Sequence, residues 1–203
     1  MDATGLKHQN PQSPAPGQTA PRPLSGFTSR VTAIDMAFFR MLSALSLPKS
    51  ILLPLILLVR IGDGWIWVLM AGYIWWALPF AQLEAALLHC MLTISISLAF
   101  YLPIKLLMKR PRPYDNGMDV VPLVPPLDKY SFPSGHTMNN LSVALTLALY
   151  LPSLGIPALL IPLTVGLLRV LFGVHYLSDI VGGTLLGLVA FLISKAIFPS
   201  VDF

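Results

Sequence analysis

Charge is what this sequence most lacks. Only 11% of its 203 residues are Asp, Glu, Lys or Arg, against 55% hydrophobic. A soluble helical domain needs roughly a quarter of its residues charged to cover its surface, whereas a bundle wrapped in lipid needs no such coat. The mean hydropathy of +0.73 agrees, so the composition excludes an ordinary soluble domain. Cysteine is almost absent: Cys90 stands alone in an apolar run, which rules out an internal disulfide and leaves a packing role. Residues 1–30 lack an apolar core of signal-peptide length. Their Pro11, Pro14, Pro16, Pro21 and Pro23 lie among Gln, Ser, Thr and Gly, and the segment is expected to be an uncleaved disordered tail. Segments of alternating polarity are missing too, which excludes a β-barrel. The net charge of +4 comes without a basic stripe interleaved with aromatics, so no nucleic-acid partner is expected.

What the sequence does have is a series of helical apolar runs. From Val31 to Leu47, residues Ile34, Met36, Ala37, Phe38, Met41, Leu42 and Leu45, with Asp35 and Arg40, predict an amphipathic helix lying on the membrane surface. Pro48 interrupts it, and Ile51–Val59 is too short to cross a bilayer that takes roughly 20 apolar residues. Arg60, Gly62 and Asp63 then mark an interface. Five spans follow, at about 64–79, 84–107, 137–151, 156–172 and 178–198. Trp65 and Trp67 near one end of the first, with Trp75 and Trp76 near the other, read as an aromatic belt. That span is short, so either 51–59 continues into it as a broken helix or it sits where the bilayer thins. Gly182, Gly183 and Gly187 suit close helix packing. The expected fold is therefore all-α: an integral membrane bundle of five transmembrane helices, six if residues 42–59 also cross, plus an N-terminal interfacial helix. The expected organisation is a tail at 1–30, an interfacial segment at 31–60 and a transmembrane domain at 61–203.

Polar and ionisable groups concentrate at three helix ends, which the intervening hairpins return to one face. Lys105 and Arg112 close the second span, Pro133-Ser134-Gly135-His136 opens the third, and Arg169, His175 and Asp179 join the fourth to the fifth. Lys109–His136 between them is a long proline-rich polar loop, and such loops in compact bundles are usually functional. Lys105, Arg112 and Arg169 offer an ammonium and two planar forks suited to phosphate oxygens. The Ser134-Gly135 turn adds free N–H groups at the positive end of a helix. His175 and Asp179 are four apart, so the carboxylate can orient the ring and leave a lone pair for attack, and His136 is a second proton carrier. Such a set completes an in-line phosphoryl-transfer site that needs no metal and no cofactor. Each piece alone has a plainer role: Lys109 and Arg110 as flanking charge, His89 as a packed intramembrane residue, Asn139 as a helix–helix hydrogen bonder. Tyr101 sits one turn before Lys105, near enough to line the pocket. Asp115, Asp119 and Asp128 read as a solvated loop face, not metal ligands.

These residues resemble the type 2 phosphatidic acid phosphatases, whose signature runs Lys-x6-Arg-Pro, Pro-Ser-Gly-His and Ser-Arg-x5-His-x3-Asp. Lys105, Arg112 and Pro113 match the first motif, Pro133 to His136 the second, and Arg169, His175 and Asp179 the third, over about Gly62 to Phe198. The resemblance implies a metal-independent phosphatase acting on a lipid phosphate or isoprenoid diphosphate. In it His175 would attack phosphorus, Asp179 would orient it, and His136 would protonate the leaving alkoxide and later activate water. Lys105, Arg112, Ser134, the Gly135 N–H and Arg169 would bind the phosphate oxygens. The run from Asp128 to His136 is similar to small polyisoprenoid diphosphate phosphatases. One departure is Leu168, where the family pattern has serine; a quantitative loss of activity is the expected consequence.

Outside the motifs, Lys7, Arg22, Arg30, Arg40, Lys49, Arg60, Lys109, Arg110 and Lys129 gather toward one side and Lys195 toward the other. The positive-inside rule then predicts a cytoplasmic active site, in an expected bacterial inner (cell) membrane. The partners expected are a lipid phosphate and membrane lipids. Two alternatives stay open: a degenerate, non-catalytic lipid-phosphate-binding protein, and a vanadium haloperoxidase-type enzyme sharing the same oxyanion cradle.

Overall fold

Proline and glycine punctuate the helices of the computed structural model, which describes residues 26–45, 47–116, 122, 124–126 and 128–198. Helix α1 (Gly26–Ser43) ends before Pro48, and α2 (Lys49–Arg60) follows. A π-helical turn at Ile61–Trp65 joins α2 to α3 (Ile66–Ala77), and within it Gly64 takes φ 130°. No L side chain adopts that angle readily, so the glycine makes the kink. After Pro79 comes α4 (Phe80–Met108), whose last turn closes ahead of Pro111. Then follow a 3₁₀ turn at Pro113–Asn116, α5 (Gly135–Tyr150), α6 (Pro152–Leu171) and α7 (Leu177–Ile197). The described residues are all-helical or irregular, with no strand.

Among the described residues, three apolar stretches are long enough to cross a membrane: Lys49–Ala77, Phe80–Asp115 and Leu177–Ile197, with a shorter one at Ala158–Leu171. The protein is an integral membrane helical bundle. Helix α5 sits at its centre, packed against α4, α6 and α7. It is the most polar of the four because its neighbours, not lipid, satisfy its side chains. Thr93 of α4 bonds Thr146 of α5 at 3.0 Å and Ser194 of α7 at 2.7 Å. His89 is fully buried, its Nδ1 3.2 Å from the Tyr150 hydroxyl and its ring stacked on Phe198, which is the packed role expected of it. Such bonds hold helices together where the hydrophobic effect between them is weak.

Gly183 and Gly187 let α7 lie directly on α5: a Cβ at either would stand 2.6 Å from a backbone oxygen, of Ser134 and Met138 respectively. The tryptophans divide. Trp65, Trp75 and Trp76 are exposed on the bundle's outside, as a belt requires, whereas Trp67 turns inward and donates to Asn140. The α1 face also differs from expectation. Ile34, Met41 and Leu45 point outward, while Asp35 is 1% exposed and faces the bundle beside Phe39. It is drawn in by the partners described below. The tail at 1–25, with Lys7 and Arg22, lies outside the described residues, as does Asp119.

Candidate active site

Helix α6 stops in a Schellman motif. Gly173, at φ 71°, donates its N–H to Val170 O at 3.0 Å and Val174 donates to Arg169 O at 3.0 Å. The His175 N–H also donates to Arg169 O, at 3.2 Å, so the turn ties the third motif's arginine and histidine through the main chain. Helix α7 then begins, and the Asp179 carboxylate in its first turn accepts the Tyr176 N–H at 2.8 Å through Oδ2. His175 Nδ1 lies 3.5 Å from the same oxygen, within reach of an ion pair but longer than a good hydrogen bond. The ring is 2% exposed. Burial, only partly offset by Asp179, pushes its pKa down to about 4, so the imidazole is neutral at neutral pH.

The other two motifs are fastened to this turn. Ser134 N–H donates to the Asp179 backbone oxygen at 3.1 Å, and the Ser134 hydroxyl caps α5 by accepting from Thr137 N–H at 3.4 Å. A Cβ on Gly135 would stand 2.7 Å from the Tyr101 ring, so only glycine lets α5 start so close to α4. Arg112 donates to Val174 O at 2.8 Å. Ser131 N–H donates to Arg110 O at 2.9 Å, closing the loop onto the end of α4.

The structure thus brings Lys105, Arg112, Ser134, Gly135, His136, Arg169, His175 and Asp179 together at one end of the bundle. Two further carboxylates are there as well. Asp128 accepts from Lys105 at 2.7 Å, Arg112 at 2.6 Å and the Tyr101 hydroxyl. Its side chain stays 37% exposed, as a loop position allows, but the buried cations Lys105 and Arg112 hold it at the site, a role beyond the solvated loop face expected of it. Burial opposes its ionisation, but the bonds and charges of Lys105, Tyr101 and Arg112 outweigh this and hold its carboxyl below the usual range. Asp63, on the π-helical turn, meets Arg169 at 2.5 Å and His136 Nε2 at 2.8 Å, while Arg169 itself approaches His136 Nε2 at 2.7 Å. Asp63 read in the sequence only as an interface marker. The signal that could have found both is electrostatic: buried cations require counter-charges.

Asp63 and Asp128 line a cavity of about 350 Å³ together with Tyr101, Gly135, His136, Asn139 and Asn140. The cations they pair with lie behind them. Trp67, Ile94 and Val143 form the cavity's apolar side and also line a second cavity of about 230 Å³, which continues along α3, α4 and α5 past Ile74, Cys90 and Leu147. Leu168 does not reach this site. It packs with Val59, Val124, Phe172 and Val174, where it gives α2 an apolar partner.

A family model described as the PAP2 superfamily matches residues 86–201, more than half of the chain. The chain belongs to the PAP2 superfamily. All three motifs fall inside the matched residues, while α1, α2, α3 and Asp63 precede them. Phosphatidylglycerophosphatase B of Bacillus subtilis is 41% identical over 88 residues, covering 38% of this chain and 43% of that relative, so the match spans less than half of its length. The crystal structure of LpxE from Aquifex aeolicus shares the fold, with a TM-score of 0.62 at 22% identity over 80% of this chain and 95% of that one. A Bacillus subtilis structure titled as a PAP2-type phosphatidylglycerolphosphate phosphatase aligns with a TM-score of 0.46 at 24% identity, covering 84% of this chain and 96% of that one.

Proposed function

We propose that this chain is a membrane phosphatase that hydrolyses a lipid phosphate monoester or an isoprenoid diphosphate through a phosphohistidine on His175. The observation that carries the reading is the meeting of three sequence-distant helix ends at one end of the bundle, where His136 and Gly135 line the cavity and the buried His175, Lys105, Arg112 and Arg169 lie behind the carboxylates that share its wall. In the proposed reaction the unprotonated nitrogen of His175 attacks phosphorus in line, and the bond to the leaving oxygen breaks. His136 gives that oxygen a proton, then takes one from the water that hydrolyses the N–P bond and releases phosphate. Lys105, Arg112, Arg169, the Ser134 hydroxyl and the Gly135 N–H neutralise the charge spread over the phosphoryl oxygens. Asp179 keeps the His175 ring oriented. The apolar cavity along α3, α4 and α5 is placed to take the substrate's hydrocarbon chain, which would enter from the bilayer.

Helices α3 to α7 make five crossings in this proposal, α1 lies at the interface, and residues 61–203 form the catalytic domain. The arginine and lysine bias puts the site on the cytoplasmic face of a bacterial inner membrane. Purified protein in detergent should release phosphate from at least one of phosphatidate, phosphatidylglycerophosphate, an isoprenoid diphosphate or a lipid A phosphate, and His175→Ala should not. One observation favours a second, non-catalytic reading: both cation groups are already paired, with Asp63 and with Asp128. Tight binding of a lipid phosphate with no release from any of the four would establish it.

A further inference from the structure

Arg110 takes no part in the chemistry above, yet several groups converge on its guanidinium. Nη1 donates to Asp179 Oδ1 at 2.8 Å and to the Ser178 hydroxyl at 2.6 Å. Nη2 donates to Asp35 Oδ2 at 2.6 Å, and the group lies over the Tyr176 ring, 4.1 Å from its centroid. Asp35 is committed on both oxygens. Oδ1 accepts the Ser178 backbone N–H at 2.9 Å, and Oδ2 accepts the Ser178 hydroxyl at 2.5 Å as well as Arg110. A carboxylate 1% exposed is costly unless its lone pairs are used in this way.

This arrangement has a direction. Asp179 offers Oδ1 to Arg110 and Oδ2 to the Tyr176 N–H and the His175 ring. With Oδ1 held by one arm of the Arg110 guanidinium and Oδ2 by the Tyr176 N–H, the carboxylate is fixed at both oxygens and Oδ2 stays beside Nδ1 of His175. The fork is itself fixed by Asp35, which comes from α1, a helix outside the residues matched by the family model.

We propose that Arg110 and Asp35 are positioning residues: Asp35 of α1 holds Arg110, and Arg110 holds the Asp179 carboxylate in the orientation that aligns His175. The inference rests on the reading of His175 as nucleophile. It makes the N-terminal helix a working part of the site, where a structural tie would merely dock α1 on the bundle.

The experiment follows His175 itself. Full-length protein carrying 13C-labelled histidine rings is titrated by NMR in detergent micelles, with the His175 signal identified by its loss in His175→Ala. Asp179 faces His175 from the α6–α7 turn and Arg110 from the end of α4, with Asp35 of α1 beyond Arg110 and Lys105, Arg112 and Arg169 around the pocket. Arg110→Gln removes the cation nearest the carboxylate, so the imidazolium of His175 is better stabilised and its midpoint rises by about one pH unit. Phosphate release at saturating lipid falls about 10-fold or more while KM stays within about 2-fold, because an orientation is lost and a binding contact is not. Arg110→Lys, a charge without the fork, keeps the wild-type midpoint and recovers only part of kcat. Asp35→Asn, nearly isosteric, lowers kcat several-fold and decides the matter if Arg110→Gln does not fold. A His175 midpoint and a kcat indistinguishable from wild type in Arg110→Gln and in Asp35→Asn would overturn the proposal. The titration reads His175 whether or not a lipid is hydrolysed, so inert wild-type protein would defeat the catalytic reading alone.

Discussion

At the scale of single residues, the proposed function sets carboxylates and an incoming phosphate in competition for the same cations. Asp63 occupies Arg169 and His136, and Asp128 occupies Lys105 and Arg112. Removing one negative charge from the cavity wall should therefore help an anion bind. Asp63→Asn is expected to tighten inhibition by orthovanadate by about 3-fold or more, and to lower kcat because His136 loses a partner that favours its charged form. Inhibition curves and turnover on one preparation check both. In the proposed reaction His175 sets the acid limit. Its pKa of about 4 lies below the ordinary value of 6.5, so the neutral, nucleophilic form persists as pH falls through 6 and 5 and is lost only near 4. An acid limb of kcat/KM near pH 6.5 would contradict this.

The motif residues were legible in the sequence because they sit at fixed spacings on helix ends, where local geometry decides which side chains share a turn. Asp35, Asp63, Arg110 and Asp128 were not, since the first three find partners across the fold and Asp128 meets Lys105 and Arg112 only when the long loop folds back on α4. Asp35 lies 143 residues from Ser178 and Asp63 lies 106 from Arg169. Their only sequence-level trace is the need for buried cations to find carboxylates in a chain with nine acidic residues.

At the scale of elements, apolar runs in the sequence marked α1 and α3 to α7 and left 51–59, within α2, as a stretch too short to cross alone; among the described residues the helix ends fall within a few residues of prolines or glycines. Side-chain direction was harder. Trp67 turns inward because Asn140 offers it an acceptor, and Leu168 faces α2 because Val59 and Phe172 surround it. Composition does not register either circumstance. The contact of α7 with α5 depends on small residues, and Gly187→Ala places a Cβ 2.6 Å from Met138 O and 3.2 Å from its Cα, neither of which can step aside alone. Overpacking of this kind costs about 1–3 kcal/mol, so Gly187→Ala should melt several degrees below wild type in detergent. Leu168→Ser should likewise lose stability without gaining activity, because the new hydroxyl would lie in the apolar cluster with Val59 and Val174, away from the anion site. A thermal scan paired with a phosphate-release assay separates the two effects.

At the scale of the whole molecule, hairpins return three helix ends to one side, a polar helix is enclosed by apolar ones, and the cavity beside the ionisable cluster shares Trp67, Ile94 and Val143 with an apolar cavity between α3, α4 and α5. In the proposed function, that layout would let a water-requiring reaction act on a molecule that stays in the bilayer. The claim on which everything turns is that His175 takes the phosphoryl group. Rapid acid-free quenching of wild-type protein and of His136→Ala with a 32P-labelled lipid phosphate, followed by peptide mapping, tests it most directly. The expected result is an acid-labile label on residue 175 of the wild-type protein, absent in His175→Ala and slow both to form and to decay in His136→Ala, because His136 serves both steps. Turnover by His175→Ala at a rate near wild type, or a label on any other residue, would contradict it.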